Sequence, residues 1–331
     1  MSEKILCVRL KSIGDVVFTL PAVNAIQQNH PDCRITFLVS AECAALLEGF
    51  KAIQETIILD RAIYRSKKLG QIWKSTCQLF RRLRRGGFSY AIDFQGYGET
   101  ALLTRMTGAR QRLGVVYSRT RALAYTTGVP RDYSIHPIDF NFALLRAGGE
   151  SVANLRNEFE LPNICKERAK EIFRESALKL NRPTIYLQPF TSTAHKNWPL
   201  GNYLELALVM RERGRQIVFV AGPSDKQALA PVRKERFPVV VGAPLLVSAA
   251  LASISDLAIG GDTGLLHLAV AMNKRVVMIM GTNTPGSAHP YRHPEWTVTP
   301  KLGTNLSQIK TEAVVEAAEQ ALAGAADAKA R

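Results

Sequence analysis

Apolar residues occur along this chain in two alternating patterns, short continuous runs and longer stretches with helical spacing. The short runs predict strands buried on both faces, and the longer stretches predict amphipathic helices that connect parallel strands. The predicted strands are 5–10, 34–40, 56–60, 90–95, 184–188, 216–221, 238–241, 256–260 and 275–280. This alternation is typical of an α/β fold, and a polar stretch around 150–168 divides it into two series.

Length and composition agree with two domains. At 331 residues the chain is too long for one ordinary core, and 47% hydrophobic and 21% charged residues are typical of a globular protein. We therefore predict two doubly wound domains, residues 1–160 and 161–331. No apolar run is long enough to span a membrane, and the first residues lack a signal-peptide layout. Five scattered cysteines without a Cys-x-x-Cys pair predict neither disulfides nor a zinc site, so we expect a cytoplasmic protein.

Basic residues are concentrated in one part of the chain. The net charge is +15, and residues 61–131 contain fifteen Lys or Arg against two acids. For any single residue a solvated helix face is the more frequent explanation. Because like charges repel, however, a segment this basic indicates an anionic partner.

A glycine-rich loop after one predicted strand carries the first candidate site. Its sequence is GGDTGLLHL, residues 260–268, and it joins a strand to a helix. Glycines let a ligand approach the backbone, and free N–H groups at a helix start attract anions, so the loop predicts a phosphate site. On spacing alone, Asp262 fits a helix cap as well as it fits a ligand contact. His267 likewise fits a histidine packed in the core as well as it fits a ligand contact.

Two further loops follow predicted strands, where ligands bind in open α/β sheets. Residues 187–199, LQPFTSTAHKNWP, supply hydroxyl groups and a lysine that suit a diphosphate, although an ordinary polar turn has the same composition. The opening loop places Asp15 before a helix predicted to reach about Gln28. On spacing alone Asp15 is an N-cap, and a carboxylate there is a weak but reliably deprotonated base.

Four motifs, taken together, connect these loops with a known family. They are RLKSIGDVVFTLPAVNAI, AIDFQGYGETALLTR, HKNWP and GGDTGLLHLAVAM. The chain resembles the ADP-heptose lipopolysaccharide heptosyltransferases of glycosyltransferase family 9. It is most similar to the type that adds the first heptose to Kdo, since IDFQG (92–96), SRTRALA (118–124) and AIYRSKK (62–68) also have counterparts there.

The resemblance implies a fold and a reaction. The fold is GT-B, in which two Rossmann-like domains face a cleft, with the acceptor on the N-terminal domain and the nucleotide-sugar on the C-terminal one. The implied reaction inverts the anomeric carbon and uses no metal or other cofactor. In agreement, the sequence contains no Asp-x-Asp metal motif.

Roles for individual residues follow from the resemblance. Asp15 matches the general base that activates the acceptor hydroxyl, and Lys196 matches a lysine on the diphosphate of the departing ADP. The implied donor-binding residues are Thr191, Ser192, Thr193, Lys196, Asp262, Thr263, Gly264 and His267. Asp225 is the acid nearest to the position of the family's ribose-binding glutamate, and Gly281-Thr282-Asn283 replaces a frequent Gly-Pro-Thr.

The implied partners are an ADP-heptose donor and a Kdo-lipid A type acceptor. The acceptor's acidic groups would be bound by Arg65, Lys67, Lys68 and Arg121. Because such an acceptor lies in a membrane, clustered cations predict peripheral contact with the anionic cytoplasmic face of the inner membrane. We assign this contact mainly to Arg81, Arg82, Arg84 and Arg85.

Other functions stay open at this point. A nucleic-acid-binding protein would explain the net charge, but the chain has no helix-turn-helix, zinc or RNP aromatic signature, so we expect no nucleic acid partner. A GT-B sugar-nucleotide epimerase would not need a basic acceptor face. A transferase of the same family acting on a later core heptose, or using another nucleotide-sugar, also fits.

Overall fold

The chain forms two compact units in the computed structural model, Met1–Glu160 and Leu161–Arg331. The structure describes residues 2–66, 68–152, 159–302 and 304–330. Lys67, one of the candidate acceptor residues, lies outside the described residues. Each unit contains a six-stranded sheet with parallel strands and helical connections, which confirms the predicted class of two Rossmann-like α/β domains.

The sheet of the first unit reverses its strand order at β1. Its strands are β1 (Lys4–Val8), β2 (Arg34–Ser40), β3 (Glu55–Leu59), β4 (Tyr90–Asp93), β5 (Gln111–Val116) and β6 (Thr127–Pro130). They pair in the order β3-β2-β1-β4-β5-β6, and all pairs are parallel. With β2 on one side of β1 and β4 on the other, the loops after β1 and β4 diverge at the carboxyl edge. Doubly wound sheets bind their ligands at this switch point.

Helices cover the sheet of the first unit, and one of them is unusually exposed. The helices are α1 (Ile13–Val17), α2 (Leu20–Asn29), α3 (Arg61–Arg65), α4 (Leu69–Arg85), α5 (Gly98–Met106), α6 (Arg119–Ala122) and α7 (Pro137–Ala147), with a 3-10 helix at Ala41–Gly49. Strand β1 is buried from its second residue onward, as expected of a central strand covered on both faces. Helix α4, by contrast, has seventeen residues, of which only Leu83 is buried.

The second unit repeats the same topology. Its strands are β7 (Thr184–Gln188), β8 (Gln216–Ala221), β9 (Val239–Val241), β10 (Leu257–Gly261), β11 (Val276–Ile279) and β12 (Thr297–Val298). They pair in the order β12-β11-β10-β7-β8-β9, again all parallel, so the switch point lies between β7 and β10. The helices are α8 (Asn163–Glu175), α9 (Leu200–Glu212), α10 (Ala230–Lys234), α11 (Leu245–Ile254), α12 (Gly264–Ala271) and α13 (Thr311–Ala330).

The structure corrects several predicted elements. Strands β5, β6 and β12 were missed. Gly and Pro are unusual inside strands, and β6 (TGVP) contains both while β5 has Gly in its middle. Strand β12 has only two residues, too few for a recognisable pattern. The single helix expected to reach about Gln28 is two helices, because Pro21 lies in the first turn of α2 and cannot continue α1. Within the described residues, no helix has both the length and the hydrophobicity to cross a bilayer.

Candidate functional site

Asp15 lies in the first turn of α1, just beyond the carboxyl end of β1. Both its oxygens are held: the Ser12 backbone N–H and hydroxyl donate to Oδ2 at 3.1 and 3.0 Å, and Arg9 Nη2 lies 2.8 Å from Oδ1. The side chain is still 37% exposed. The N-cap of α1 is Ser12, and Asp15 is the third helical residue, so the interpretation of Asp15 as the N-cap is wrong.

These contacts decide the charge of Asp15. Burial raises the pKa of this carboxyl, but the Arg9 guanidinium and the hydrogen bonds from Ser12 outweigh it, and the net pKa lies below the usual range. Asp15 is therefore an anion at neutral pH. A carboxylate of this kind is a weak base that is always available in its basic form.

Arg9 is itself fixed in place. Its Nη1 donates to the Phe94 carbonyl at 2.6 Å, its Nε donates to the Lys11 carbonyl at 3.0 Å, and its side chain is only 16% exposed. Arg9 thus joins the residues that follow β1 to those that follow β4. Arg9 is not among the residues predicted from the sequence, although a charged side chain near the end of the apolar run ILCVRL is a visible signal.

The IDFQG motif supports the same loop from β4. Gln95 Oε1 accepts hydrogen bonds from the backbone N–H groups of Leu10 and Lys11, at 2.9 and 3.3 Å. Gly96 has φ +70°, and a Cβ there would lie 2.2 Å from the Val115 carbonyl oxygen, so this turn requires glycine. The motif therefore positions the segment that carries Asp15.

Asp93, in the same motif, is a fully buried carboxyl. Its Oδ1 accepts from the N–H groups of Gln95 and Gly96, and its Oδ2 accepts from the Tyr125 hydroxyl at 2.7 Å. Burial raises the pKa of Asp93 even though these hydrogen bonds oppose the shift. Asp93 thus shapes the turn after β4 and ties it to the β5–β6 connection.

The candidate acceptor residues lie on connections at the same edge of the first sheet. Arg65 ends α3, which follows β3, Lys68 is the N-cap of α4, and Arg121 lies in α6, which follows β5. Arg65 and Lys68 are exposed, and none of the three forms an ion pair with another described residue. These cations are available for an anionic ligand.

In the second unit, the loop after β7 is anchored at both ends. Asn197 Oδ1 accepts from the Thr191 N–H at 2.8 Å, and the buried Trp198 donates its indole N–H to the Ile309 carbonyl at 2.9 Å. Within the loop, the Thr191 hydroxyl donates to the Thr193 carbonyl at 2.8 Å. Ser192 and Thr193 are exposed, so their hydroxyls face solvent.

Lys196, Asp262 and His267 form one cluster. Lys196 Nζ lies 2.6 Å from Asp262 Oδ2, and His267 Nε2 lies 2.9 Å from Asp262 Oδ1. Burial raises the pKa of Asp262, but its contacts with His267 and Lys196 lower it to about 2. His267 is nearly covered, with a side chain 4% exposed, whereas the Lys196 side chain is 44% exposed. The cluster thus presents a half-exposed cation that is paired with a carboxylate held by His267.

The start of α12 adds backbone donors to this cluster. Thr263 is the N-cap: its Oγ1 accepts from the Leu266 N–H at 3.3 Å and contacts Gln188 Oε1 at 3.3 Å. The alternative of Asp262 as the helix cap is therefore wrong. Gly264 is the first residue of the helix, so its N–H has no acceptor within the helix, and free N–H groups at a helix start attract anions. Gln188 was missed, although it is a polar residue closing an apolar strand.

Gly261 lets the two loops approach each other. A Cβ on this residue would lie 2.7 Å from Thr191 Cγ2 and 2.9 Å from the Lys196 carbonyl oxygen. Contacts this short exclude any side chain at Gly261 unless the Thr191–Lys196 segment moves. The structure therefore brings most of the predicted donor residues together at the switch point of the second sheet.

Two further positions considered from the sequence, Asp225 and Asn283, lie on the connections that follow β8 and β11. Asp225 follows β8, and its carboxylate accepts from Ser224 in its own turn at 3.3 Å. Asn283 follows β11 and donates to the Thr297 hydroxyl at 3.0 Å. Across the part of the chain that the structure describes, no three His, Cys, Asp or Glu side chains are grouped as ligands for a metal ion.

Comparisons with known proteins identify the family. The lipopolysaccharide core heptosyltransferase OpsX of Haemophilus influenzae is 25% identical over 88% of this chain and 83% of its own. The lipopolysaccharide heptosyltransferase 1 of Escherichia coli is 22% identical over 96% and 97%. The crystal structure of a family 9 glycosyl transferase from Veillonella parvula superposes with a TM-score of 0.83 at 20% identity, over 97% of both chains. The sequence model of glycosyltransferase family 9 (heptosyltransferase) matches residues 76–313. Since that match spans well over half of the chain, the chain belongs to glycosyltransferase family 9, the heptosyltransferase family, and is a glycosyltransferase.

Proposed function

We propose that this glycosyltransferase moves heptose from ADP-heptose to the Kdo region of the lipopolysaccharide inner core, with inversion and without a metal ion. The observation that carries the proposal is the cluster at the switch point of the second unit, where Lys196 lies 2.6 Å from Asp262 beside the start of α12. A cation and free backbone N–H groups are what a nucleoside diphosphate needs. The similar proteins of Haemophilus influenzae and Escherichia coli are lipopolysaccharide heptosyltransferases, which suggests heptose as the sugar and lipopolysaccharide as the acceptor.

The second unit binds the donor in this proposal. Lys196 is 44% exposed and turns from Asp262 to the diphosphate, which the N–H groups of Thr263 and Gly264 also contact. Asp262 stays ionised, because its pKa is about 2, and accepts hydrogen bonds from the heptose hydroxyls. His267 holds Asp262 in position, and the hydroxyls of the loop after β7 bind phosphate oxygens. These are Thr191, Ser192 and Thr193, with Asp225 on the ribose.

The first unit binds the acceptor. Its candidate cations, Arg65, Lys67, Lys68 and Arg121, pair with the Kdo carboxylates and the lipid A phosphates. The enzyme acts at the cytoplasmic face of the inner membrane as a peripheral protein. Asp15 receives the proton of the attacking hydroxyl.

The chemical step follows from these roles. The acceptor oxygen forms a bond to the anomeric carbon as the bond from that carbon to the diphosphate oxygen breaks. The hydroxyl proton goes to the Asp15 carboxylate, and the electron pair of the broken bond leaves with ADP. The hydroxyl becomes more acidic as its new bond forms, so even a base with a low pKa accepts the proton late in the step. Lys196 offsets the negative charge that develops on ADP.

The direct test is incubation with candidate nucleotide-sugars, with and without Kdo-lipid A, while release of nucleoside diphosphate is followed. We expect ADP release only when ADP-heptose and Kdo-lipid A are both present, an acceptor heavier by one heptose, and the same rate in EDTA. Turnover only with an acceptor that already carries heptose would assign a later core position. Conversion of the nucleotide-sugar without any acceptor would indicate an epimerase and contradict the proposal.

Replacing Arg9 with Gln tests the base through its pKa. In the native protein the Arg9 charge keeps the pKa of Asp15 low, so kcat/KM should fall only below the usual aspartate range, about pH 4. Without Arg9, burial remains to raise that pKa, and the acidic limb of the pH profile should move to higher pH. Arg168→Gln, an exposed change in the second unit, is the control. Identical acidic limbs in all three proteins would exclude Asp15 as the titrating base.

Gly261→Ala tests the packing of the donor loops. The new Cβ would displace the Thr191–Lys196 segment, so kcat/KM for ADP-heptose should fall by about tenfold to a hundredfold. Gly201→Ala in α9 is the matched control, because a Cβ there meets nothing within 4 Å. Equal kinetics for the two variants would show that the position of Lys196 does not matter for donor use.

A further inference from the structure

Helix α4 has three stripes of residues at the same spacing, and only one of them packs against the domain. Ile72, Leu79 and Leu83 lie seven and four positions apart; Leu83 is buried in the core, and Leu79 packs against it. Residues at this spacing share one helix face. The other two stripes of α4 therefore point away from the core.

The second stripe is apolar and exposed. Leu69 is 80% exposed, Trp73 is 72% exposed and Phe80 is 40% exposed, and their spacing of four and seven places them on one face. Large apolar side chains gathered in this way on a surface helix usually mark an interaction surface. Tryptophan in particular favours the boundary between a bilayer and water.

The third stripe is basic and, at 3.6 residues per turn, lies about 120° around the helix axis from the apolar stripe. It consists of Lys74, Arg81 and Arg85, and each of them is exposed. The helix contains no Asp or Glu to balance these charges. The basic surface continues into a cavity of about 420 Å³ at the end of α4, lined by Lys4, Arg34, Arg81, Arg82 and Arg85. Glu55, also in its lining, is already paired with Arg82 at 2.9 Å.

Two of the four arginines predicted to contact the membrane, Arg82 and Arg84, contact other residues of this chain instead. Arg82 pairs with Glu55 and also donates to the Thr56 carbonyl at 3.2 Å. Arg84 lies over Gly108, where its guanidinium occupies the space of a Cβ. The available cations of α4 are therefore those of the third stripe.

We propose that α4 is a membrane-surface helix, in which Leu69, Trp73 and Phe80 insert into the headgroup region of an anionic bilayer while Lys74, Arg81 and Arg85 bind lipid phosphates. Tryptophan, phenylalanine and leucine on one face and basic residues on the polar face are the composition of helices that lie in a membrane interface. The complementary charge of the basic stripe selects anionic lipid as the occupant. The inference deepens the proposed function, on which it rests for its biological setting, since a lipid-linked acceptor has to be reached at a membrane.

Trp73 reports on this contact directly. The chain has three tryptophans; Trp198 is fully buried and Trp296 stacks on His293 with ring centroids 3.7 Å apart. Vesicles of phosphatidylcholine with phosphatidylglycerol, without any lipopolysaccharide, should therefore shift the fluorescence of the full-length protein to shorter wavelength. Brominated lipids should quench it. Trp73→Phe should remove both signals, and vesicles of phosphatidylcholine alone should produce neither.

Two sets of variants separate the stripes. Replacing Leu69, Trp73 and Phe80 with Gln should weaken sedimentation with anionic vesicles by at least about tenfold. Replacing Lys74, Arg81 and Arg85 with Gln should weaken it by about a hundredfold at low salt and much less at high salt. The controls are Ile164→Gln, a 79% exposed apolar residue of the second unit, and the combined change of Arg174, Lys179 and Arg182 to Gln. All of these changes are on the surface, and far-ultraviolet circular dichroism checks that they leave the fold intact.

The outcomes distinguish this inference from the proposed function. Vesicle binding without heptose transfer would overturn the function and support the inference. Transfer to a delipidated acceptor, together with vesicle binding that ignores salt and both stripes, would overturn the inference alone. Self-association of the protein that disappears in Trp73→Gln, without vesicle binding, would show that the apolar stripe joins two copies and would also overturn it.

Discussion

Replacing Asp15 with Asn should lower kcat by about a hundredfold or more, with little change in the affinity for ADP-heptose. Asparagine has nearly the same shape and keeps an oxygen that accepts from Ser12, so the loop is expected to stay in place. What is lost is the capacity to take the proton of the acceptor hydroxyl. Steady-state kinetics with each substrate varied in turn, and calorimetric titration with ADP, measure the two effects separately.

The matched control for this prediction is Asp32→Asn, an exposed aspartate just before β2, at the opposite edge of the same sheet. It removes the same charge from the first unit without touching the loop after β1. If Asp15→Asn turns over as fast as Asp32→Asn, then Asp15 only stabilises the start of α1 and another group accepts the proton.

The second large effect concerns Lys196 and Asp262, whose variants should both impair donor use but in different ways. Lys196→Ala should lower kcat/KM for ADP-heptose by about a hundredfold to a thousandfold, because the departing diphosphate loses its cation. It should also weaken the binding of ADP. Asp262→Ala should lower kcat/KM by about tenfold to a hundredfold through lost contacts to the sugar, yet leave ADP binding as tight or tighter, since Lys196 is then released from its 2.6 Å ion pair.

Calorimetry with ADP alone therefore separates the two roles. Lys226→Ala, a change of an exposed lysine after β8, is the control for the loss of a positive charge. Should ADP bind equally well to the native protein and to Lys196→Ala, the diphosphate lies elsewhere. A parallel loss of ADP affinity in Asp262→Ala would mean that the carboxylate positions Lys196 and does not compete for it.

Local sequence rules were sufficient for much of the fold. The nine predicted strands correspond to β1–β4 and β7–β11, because each of them is a mainly apolar run between helices. Strand β6 was missed because its four residues include Gly and Pro, which are typical of a turn. The pattern also predicted an amphipathic helical stretch between the strands 56–60 and 90–95, but only the packed structure shows that the large apolar residues of α4 are divided between a buried and an exposed stripe.

The candidate site was predictable where one loop carries it and not where two segments meet. Lys196 and Asp262 are 66 positions apart, and only the pairing of β7 with β10 brings their loops together. The rule that ligands bind after strands pointed to both loops, but not to the ion pair. Arg9 and Gln95 were missed as partners of the Asp15 loop because their contacts depend on the pairing of β1 with β4.

The two sheets have the same strand order, so equivalent positions in the two halves can be compared directly. Strand β1 corresponds to β7 and β4 corresponds to β10, so the two halves are copies of one architecture even though the sequence contains no visible repeat. At equivalent places, after the first strand, one copy has the carboxylate of Asp15 and the other has the ammonium group of Lys196. The backbone thus provides the same kind of ligand platform twice. In the proposed function the two platforms differ in the charge that they present: the carboxylate of Asp15 takes a proton, and the ammonium group of Lys196 meets the diphosphate.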